Sequence, residues 1–278
     1  MLKLKSKNPL ISIVITTKNE EAVIGDLLGT FKKQTYKNFE IIVVDNNSTD
    51  KTVEIAKRYT KLVFNKGPER SAQRNFGVGK AKGEYVLILD ADMQLSKRVL
   101  EECVEVAQRD SFGAIVIPEK SFGRGFWTQF KIFEREFYEG EEDIEAARFF
   151  KKTLFKKFGG YDLSMTGPED WDLPQKISKK YKISRIRSLI LHNEGRHTLF
   201  GLVKKKYYYG LSAYKYLKKH KISIISPKTI YLLRPAFYRN WRKILSHPFL
   251  GLGMCIMLIA ENLGGGLGYI VGRIRDGK

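Results

Sequence analysis

Residues 85–92 read Tyr-Val-Leu-Ile-Leu-Asp-Ala-Asp, an apolar run followed by two carboxylates one residue apart. Such a run is typical of a strand buried on both faces of a parallel sheet. Open α/β sheets bind ligands at the carboxyl ends of their strands, which is where Asp90 and Asp92 fall. Because side chains alternate along a strand, both carboxylates project to one side and can share a cation and its phosphate oxygens. A bare Asp-x-Asp is usually a solvated turn, but this position favours a metal site.

The run belongs to a repeated alternation of short apolar and longer amphipathic stretches. Strands are predicted at residues 11–15, 40–44, 62–64, 85–89, 114–117 and 183–191. Helical spacing predicts helices between the early strands, at residues 21–34, 50–59, 71–80 and 97–108. The order βαβαβαβ predicts an α/β protein with a mostly parallel sheet. We expect a catalytic domain over residues 1–200 and a helical, membrane-associating region over residues 201–278.

The charge of the chain is large and uneven. Of the 278 residues, 50 are Lys or Arg and 30 are Asp or Glu, a formal net charge of +20. Residues 201–260 contain no acidic residue and many basic and aromatic ones. This composition indicates attraction to an anionic partner, and we expect an anionic membrane surface rather than nucleic acid.

A second acidic turn, Asp-Asn-Asn-Ser-Thr-Asp at residues 45–50, follows the second predicted strand. Asp45 can either cap backbone N–H groups of the turn or accept hydrogen bonds from a nucleoside, and the spacing leaves both open. For Asp50, at a predicted helix start, capping is the preferred interpretation.

Four spaced motifs together resemble the family-two glycosyltransferases of the GT-A fold. They are Ser-Ile-Val-Ile-Thr-Thr-Lys-Asn-Glu (12–20), Val-Asp-Asn-Asn-Ser-Thr-Asp (44–50), Arg-Asn (74–75) and Asp-Ala-Asp (90–92). The resemblance covers about residues 10 to 200. It implies a Rossmann-like GT-A sheet, a UDP-, GDP- or dTDP-linked sugar donor across the strand ends, and Mg²⁺ or Mn²⁺ as cofactor.

The resemblance also implies roles for individual donor-side residues. In chain order these are Thr16, Glu20, Asp45, Asn46, Arg74, Asp90 and Asp92. The first three look like contacts to base and ribose. Arg74 looks like a diphosphate or base-edge contact, Asp90 a ribose or metal contact, and Asp92 a metal ligand. Many family members have a second aspartate where this chain has Asn46, and an amide both donates and accepts, so the base stays open.

On the acceptor side, Gly-Gly-Tyr-Asp (159–162) and Gly-Pro-Glu-Asp-Trp-Asp-Leu (167–173) resemble the family's acceptor segment. The resemblance makes Asp170 the base that takes the proton from the attacking hydroxyl, with Glu169 and Trp171 contacting the acceptor. A base opposite the leaving diphosphate permits in-line displacement and hence inversion. The alternative is that these carboxylates only stabilise a helix N-terminus.

His192 opens the segment His-Asn-Glu-Gly-Arg-His at residues 192–197, which is similar to the segment that closes the metal site in many of these enzymes. An imidazole can complete the coordination of Mn²⁺ beside carboxylate and phosphate oxygens. A structural, hydrogen-bonded histidine is the alternative.

Residues 248–272 are long enough to cross ~30 Å of hydrocarbon as a helix, with Glu261 as their one charged residue. A carboxylate at mid-bilayer costs at least ~2.5 kcal/mol. We therefore favour in-plane or re-entrant attachment, with a single span as competitor and a buried hairpin or dimer contact as the remaining alternative. The two cysteines and the N-terminal residues suggest no disulfide and no signal peptide, so we expect the cytoplasmic membrane face.

These patterns predict an inverting, metal-dependent glycosyltransferase that acts on a sugar hydroxyl of a lipid-linked or polysaccharide acceptor. A first alternative is a polyprenyl-phosphate glycosyl synthase, because residues 90–94 also resemble the motif of dolichol-phosphate mannose synthases. Its ionised phosphate acceptor would need no base. A second alternative is a non-catalytic, basic membrane- or nucleic-acid-binding protein.

Overall fold

A computed structural model of the chain describes residues 8–109, 112–141 and 144–276. The N-terminal residues 1–7, which bear on the signal-peptide prediction, lie outside this part. The chain forms two compact units. The sheet unit comprises Met1–Glu119, Glu145–Leu163 and Glu169–His192, and the helix unit comprises Lys120–Ile144, Ser164–Pro168 and Asn193–Lys278. The helix unit thus includes two segments that precede residue 193 in the sequence. The predicted functional division at residue 200 stays a prediction.

The elements alternate in the first part of the chain and are mostly helical in the last. The strands are β1 (Ile11–Thr17), β2 (Phe39–Asp45), β3 (Val63–Asn65), β4 (Tyr85–Asp90), β5 (Met93–Leu95), β6 (Phe112–Val116), β7 (Glu119–Phe122), β8 (Ala147–Lys151), β9 (Lys182–Arg185) and β10 (Ile190–Asn193). The helices are α1 (Ile24–Lys32), α2 (Thr52–Lys57), α3 (Arg70–Lys80), α4 (Val99–Arg109), α5 (Phe126–Arg135), α6 (Lys152–Lys157), α7 (Glu169–Ser178), α8 (Leu199–Lys219), α9 (Pro235–Arg239), α10 (Trp241–Ser246) and α11 (Pro248–Arg275), with a 3₁₀ turn at Tyr231–Leu233.

The sheet unit is built on a seven-stranded sheet in the order β3-β2-β1-β4-β8-β6-β9. Its strands β3, β2, β1 and β4 run parallel, and β8 runs antiparallel to both of its neighbours. Every residue of β1 is buried, because helices cover both faces of the sheet. Alternate side chains enter opposite core clusters, Ile13 and Ile15 on one face and Val14 on the other. The prediction of a mostly parallel α/β sheet is confirmed.

Two details of the sheet differ from the sequence prediction. Strand β8 lies in a section where no strand was predicted, because Arg148 interrupts its short apolar run. The single strand predicted at residues 183–191 is wrong. It is two strands, β9 beside β6 and β10 beside β5. Between them the Glu102 carboxylate accepts hydrogen bonds from the backbone N–H groups of Arg187 and Ser188, both at 2.9 Å, and holds the chain in a turn.

The helix unit is dominated by the long helices α8 and α11, which pack along each other through glycine. A Cβ atom on Gly268 would lie 2.1 Å from the carbonyl oxygen of Tyr207, and one on Gly272 would lie 2.1 Å from that of Leu211. The two backbones can therefore approach this closely only without side chains at these positions. Among the described helices, α11 is the one long and apolar enough to cross a membrane by length and composition, a property that core helices can share.

Candidate active site

The ends of three parallel strands meet at one edge of the sheet. The register places Thr16 of β1 beside Asp90 of β4, and Thr17 of β1 beside Asp45 of β2. The Thr16 hydroxyl donates to Asp90 Oδ1 at 2.9 Å. The donor-side residues Thr16, Asp45 and Asp90 therefore lie at the same edge, as the strand pattern predicted.

The turn after β2 is held by its own polar side chains. The Asp45 carboxylate accepts hydrogen bonds from the Ser48 backbone N–H at 2.8 Å and from the Ser48 hydroxyl at 2.5 Å. Asp45 thus caps this turn, and its contact to a nucleoside stays a prediction. Asp50 accepts from the backbone N–H of Thr52, where α2 begins, at 3.0 Å, which confirms the capping interpretation. The Asn46 amide donates to the Pro68 carbonyl oxygen at 2.6 Å.

Glu20 lies in the loop after β1 with a half-buried side chain. Its backbone N–H donates to the Thr52 hydroxyl at 2.7 Å, which ties this loop to the start of α2. The loop is thereby fixed near the strand ends, while its predicted contact to the base or ribose stays a prediction.

Arg74 of α3 is the centre of the site, and its side chain is fully buried. Its Nη2 donates to Asp90 Oδ1 at 2.9 Å and to Oδ2 at 3.1 Å. Its Nη1 donates to Asp170 Oδ1 at 2.6 Å and lies 3.5 Å from Glu169 Oε1. The guanidinium also lies over the ring of Tyr161, 5.1 Å from its centroid. One buried cation therefore joins the predicted donor-side and acceptor-side carboxylates.

The residues on either side of Arg74 fix α3 in place. The buried Gln73 amide donates to the carbonyl oxygens of Thr17 at 3.0 Å and Val44 at 2.7 Å, at the ends of β1 and β2. Asn75 exchanges two hydrogen bonds with the backbone of Tyr161, at 2.7 and 2.9 Å. These bonds leave the Arg74 guanidinium little freedom to move.

Two further arginines surround Asp90. Arg70 Nη1 lies 4.0 Å and Arg148 Nη1 lies 3.9 Å from Asp90 Oδ2. Burial alone would raise the pKa of the Asp90 carboxyl, but Arg74, Arg70 and Arg148 outweigh it and hold that pKa well below its usual range. Asp90 is therefore ionised across the whole physiological range of pH.

Asp92 faces a histidine held by another carboxylate. His192 Nε2 lies 3.3 Å from Asp92 Oδ2, and His192 Nδ1 lies 3.1 Å from Glu119 Oε2. Arg148 Nε donates to Glu119 Oε1 at 2.5 Å. Burial would lower the pKa of His192, but its hydrogen bonds to Asp92 and Glu119 raise it to about 10. The predicted pair of Asp92 and His192 is thus brought together.

These residues fit a divalent cation that takes its other ligands from phosphate and water. Asp92 Oδ1 is buried and accepts no hydrogen bond from the part of the chain that the structure describes. Within residues 8–109, 112–141 and 144–276, no group of three or more His, Cys, Asp or Glu side chains is arranged to hold a metal by itself. Mg²⁺ in particular is usually bound by one or two carboxylates plus substrate phosphates. Both oxygens of Asp90 accept from Arg74, so its predicted role as a metal ligand stays a prediction.

The acceptor-side residues begin α7. Glu169 is 1% exposed, and no described residue donates a hydrogen bond to its Oε2, whereas the Asp170 side chain is 20% exposed. Burial and the neighbouring Asp170 raise the pKa of Glu169. Trp171 follows, half-buried. The position of the carboxylates in the first helical turn also suits the alternative of helix stabilisation, and the catalytic role of Asp170 stays a prediction.

Sequence reasoning did not find Arg70, Glu119 and Arg148. Arg148 lies on β8, which is next to the Asp90 strand only in the folded sheet. Glu119 begins β7, which lies beside the His192 strand in a separate three-stranded sheet. Arg70 lies one helical turn before the predicted Arg74 on α3. The one available signal was Arg148 itself, a charged residue inside the run Ala-Arg-Phe-Phe, since a buried charge needs a partner.

Comparison with solved structures defines the class of fold. The chain is similar to a mannosyltransferase from Pyrobaculum calidifontis in complex with GDP-Man and Mn²⁺, at 19% identity, over 92% of this chain and 75% of that chain, with a TM-score of 0.57. It is similar to TarS of S. aureus at 18% identity, over 96% of this chain and 92% of that one, with a TM-score of 0.56. The protein therefore has the GT-A fold.

The family follows from the sequence itself. Residues 12–162, just over half of the chain, match the family described as glycosyl transferase family 2, and the chain belongs to that family. The family that the motifs predicted is confirmed.

Curated relatives support the same assignment. A Beta-monoglucosyldiacylglycerol synthase of Nostoc sp. is 35% identical over 142 residues, 45% of this chain and 30% of that protein. The chain thus matches less than a third of that relative's length. An uncharacterized glycosyltransferase of Methanocaldococcus jannaschii is 28% identical over 76% of this chain and 81% of that protein. A PGL/p-HBAD biosynthesis glycosyltransferase of Mycobacterium bovis is 29% identical over 59% of this chain and 68% of that protein.

Proposed function

We propose that this protein is an inverting, metal-dependent glycosyltransferase that moves a sugar from a nucleotide diphosphate donor to a hydroxyl of a lipid-linked acceptor. The observation that carries the proposal is the contact of buried Arg74 with Asp90 at 2.9 Å and with Asp170 at 2.6 Å. A single rigid guanidinium fixes the donor-side carboxylate relative to the candidate base. Such fixed separation is what an in-line displacement requires.

On the donor side, the strand ends supply contacts for the nucleoside through Thr16, Glu20, Asp45 and Asn46. The cluster beyond them contains more carboxylates than arginines. Its carboxylates are Asp90, Asp92, Glu119, Glu169 and Asp170, and its arginines are Arg70, Arg74 and Arg148. A diphosphate entering this cluster brings further negative charge, which favours a divalent cation at the site.

Asp92 and His192 are the residues that would hold the cation, and His192 would have to release the proton that its hydrogen bonds to Asp92 and Glu119 retain. When bound, a divalent cation neutralises the charge that develops on the departing diphosphate. Glu119 orients His192 by accepting a hydrogen bond at Nδ1, which turns Nε2 toward Asp92.

Exposure decides between the two candidate bases. Asp170 is 20% exposed, so an acceptor hydroxyl can reach it, while Glu169 is 1% exposed and lies against Arg74 and Arg70. Asp170 therefore takes the proton from the attacking hydroxyl, which contributes ~10²–10⁴-fold to the rate. Glu169 and Trp171 shape the acceptor side of the site.

The lipid-linked acceptor is supported by relatives and by charge. The Nostoc relative is named as a synthase of a diacylglycerol glycolipid, and residues 201–260 of this chain contain cations but no carboxylates. We infer a catalytic region over residues 1–200 and a membrane-associating region over residues 201–278. The protein would act at the cytoplasmic face, where anionic lipids attract such a segment.

Thermal-shift measurements with UDP-, GDP- and dTDP-sugars, each with and without Mn²⁺, test the donor side. We expect one nucleotide class to raise the melting temperature in a manner that requires Mn²⁺, and Asp92→Ala to abolish that Mn²⁺-dependent part. The exposed Asp26→Asn serves as the matched carboxylate control. Absence of any nucleotide effect would contradict the proposal and favour a non-catalytic binding protein.

A further inference from the structure

One face of α11 is apolar and exposed along its length. Its large side chains recur every three or four residues, each 46–73% exposed: Phe249, Leu252, Ile256, Ile259, Leu263, Leu267, Ile270 and Ile274. We call these eight residues the α11 stripe. At 3.6 residues per turn they fall within an arc of about 80° and extend for about 38 Å. A soluble monomer rarely exposes a continuous apolar surface of this length, so we expect the stripe to be buried against another molecule.

The opposite face of α11 is occupied by the helix unit itself. A Cβ on Gly253 would lie 2.2 Å from the ring of Phe130 on α5. Further along, a Cβ on Gly264 would lie 2.7 Å from the carbonyl oxygen of Val203 on α8. Because α5 and α8 hold this side of the helix, the stripe is the side directed away from the rest of the unit.

Charged groups lie beside the middle of α11. Glu261 is buried, and its Oε1 accepts from Lys131 Nζ at 2.7 Å. The same ammonium donates to Glu134 Oε2 at 2.5 Å. Lys206 Nζ lies 3.8 Å from Glu261 Oε2. The carboxylate that interrupts the apolar sequence of α11 is therefore part of a buried ionic network with α5 and α8.

This packing argues against a single membrane span. Lys204 and Lys205 are exposed and follow Val203, which contacts α11 at Gly264, near the middle of the helix. If α11 crossed a bilayer, these ammonium groups would be carried toward the hydrocarbon centre together with Lys131 and Glu134. Charges at that depth are strongly unfavourable.

We propose that α11 lies parallel to the surface of an anionic lipid bilayer, with the stripe immersed among the outer acyl chains. Charge complementarity selects lipid over a second copy of the chain. Residues 201–260 carry 12 Lys or Arg and no carboxylates. The ion pairs that the described residues form with carboxylates elsewhere in the chain engage five of these cations, so the segment keeps an excess of positive charge and two such surfaces repel. Amphipathic helices bind membranes in this way, with an apolar face in the acyl boundary and cations at the head groups. This orientation rests on the proposed membrane-linked function and extends it. The experiments below measure membrane binding and not sugar transfer, so the orientation and the catalytic proposal can each fail independently.

The depth of single nitroxide labels tests the orientation. Leu252→Cys, Leu263→Cys and Ile274→Cys would each be labelled in a Cys255→Ala background, since Cys103 is fully buried. The probe is phosphatidylcholine vesicles with about one-third phosphatidylserine. An in-plane helix predicts three similar, shallow depths from oxygen and nickel-chelate accessibility. A deep label at Leu263 with shallow ends would show a span and overturn the proposal.

Vesicle flotation tests the stripe as the binding surface. We expect Ile259→Gln combined with Leu263→Gln to weaken binding by more than about tenfold, because two apolar side chains lose their transfer free energy. Leu163→Gln in the sheet unit is the matched control, since Leu163 is 62% exposed against 70% for Leu263, and it should bind as the unchanged protein does. Undiminished binding by the double variant would overturn the proposal. The proposal would also be overturned if the unchanged protein formed a dimer in the absence of vesicles and the double variant were a monomer.

Discussion

Arg74 is the residue whose substitution should lower the free energy of unfolding most. Its guanidinium is fully buried and neutralises Asp90 and Asp170 together. In Arg74→Gln those carboxylates keep their charge without their cation, which should lower the free energy of unfolding by about 3–5 kcal/mol. Arg58→Gln removes an exposed pair with Glu54 and should change it by less than about 0.5 kcal/mol. Urea unfolding of both variants measures the difference, and equal effects would contradict the buried network.

Glu119 should control metal affinity without touching substrate. The Glu119→Gln amide holds His192 less firmly and leaves Arg148 without its charge partner. We expect Mn²⁺ affinity in the presence of donor to fall about 10–100-fold. Free Mn²⁺ measured by electron paramagnetic resonance gives this affinity directly. Glu105→Gln, an exposed carboxylate paired with Arg98, is the control and should leave it unchanged.

At the scale of residues, the sequence predicted those that follow a strong local pattern. Asp90 and Asp92 could be found because a buried strand and a sheet edge both follow from Tyr-Val-Leu-Ile-Leu. Arg148 and Glu119 could not, because their roles depend on β8 lying next to β4 and on His192 returning to Asp92. Those are long-range contacts, and local periodicity does not encode them.

At the scale of elements, glycine spacing controls the packing of α8 and α11. Gly268 and Gly266 lie in the same helix, but a Cβ would meet the Tyr207 carbonyl at 2.1 Å at Gly268 and nothing within 4 Å at Gly266. Gly266→Ala should raise stability by up to about 1 kcal/mol, because alanine favours helix. Gly268→Ala should lower it, because the helices must separate. Thermal denaturation compares them, and stabilisation by both would contradict the close helix contact.

The buried ionic network of α5 should make the stability of the protein depend on pH in the acid range. Burial alone would raise the pKa of Glu134, but Lys131 and Lys206 outweigh it and lower that pKa to about 2. A depressed carboxyl pKa stabilises the fold above the ordinary value and loses this contribution as pH falls through the folded value. The stability advantage over Glu134→Gln should therefore be full at pH 7 and shrink from about pH 4.5 toward pH 2. Melting temperatures at pH 7, 4.5 and 3 measure this, and a constant difference would contradict it.

Strands were predicted where the local sequence is apolar, and they were missed where it is interrupted. Strands β1, β2, β4 and β6 could be predicted because most of their residues are apolar and buried in the sheet, whereas β3 is short and at most half-buried. Strand β8 carries a charge in its own apolar run. The segment at residues 183–191 is broken by a turn that Glu102, a side chain far away in sequence, holds through hydrogen bonds.

At the scale of the whole molecule, the charged residues are arranged differently in the sheet unit and in the helix unit. In the sheet unit, carboxylates and arginines are paired around a site that suits a cation and a diphosphate. In the helix unit, residues 201–260 leave many cations without acidic neighbours in sequence, beside the α11 stripe. The net charge of +20 therefore suits the proposed attraction of the helix unit to an anionic membrane.

The proposed chemistry depends on Asp170 removing the proton from an acceptor hydroxyl. Transfer of radiolabelled sugar to solubilised membrane lipids should be measured for the unchanged protein, for Asp170→Asn and for the Asp26→Asn control. An asparagine keeps an oxygen to accept from Arg74, so the donor-induced thermal shift should survive. The account predicts that kcat of Asp170→Asn falls by about 10²–10⁴-fold while the control is unaffected. An unchanged kcat would contradict it and favour a phosphate acceptor that needs no base.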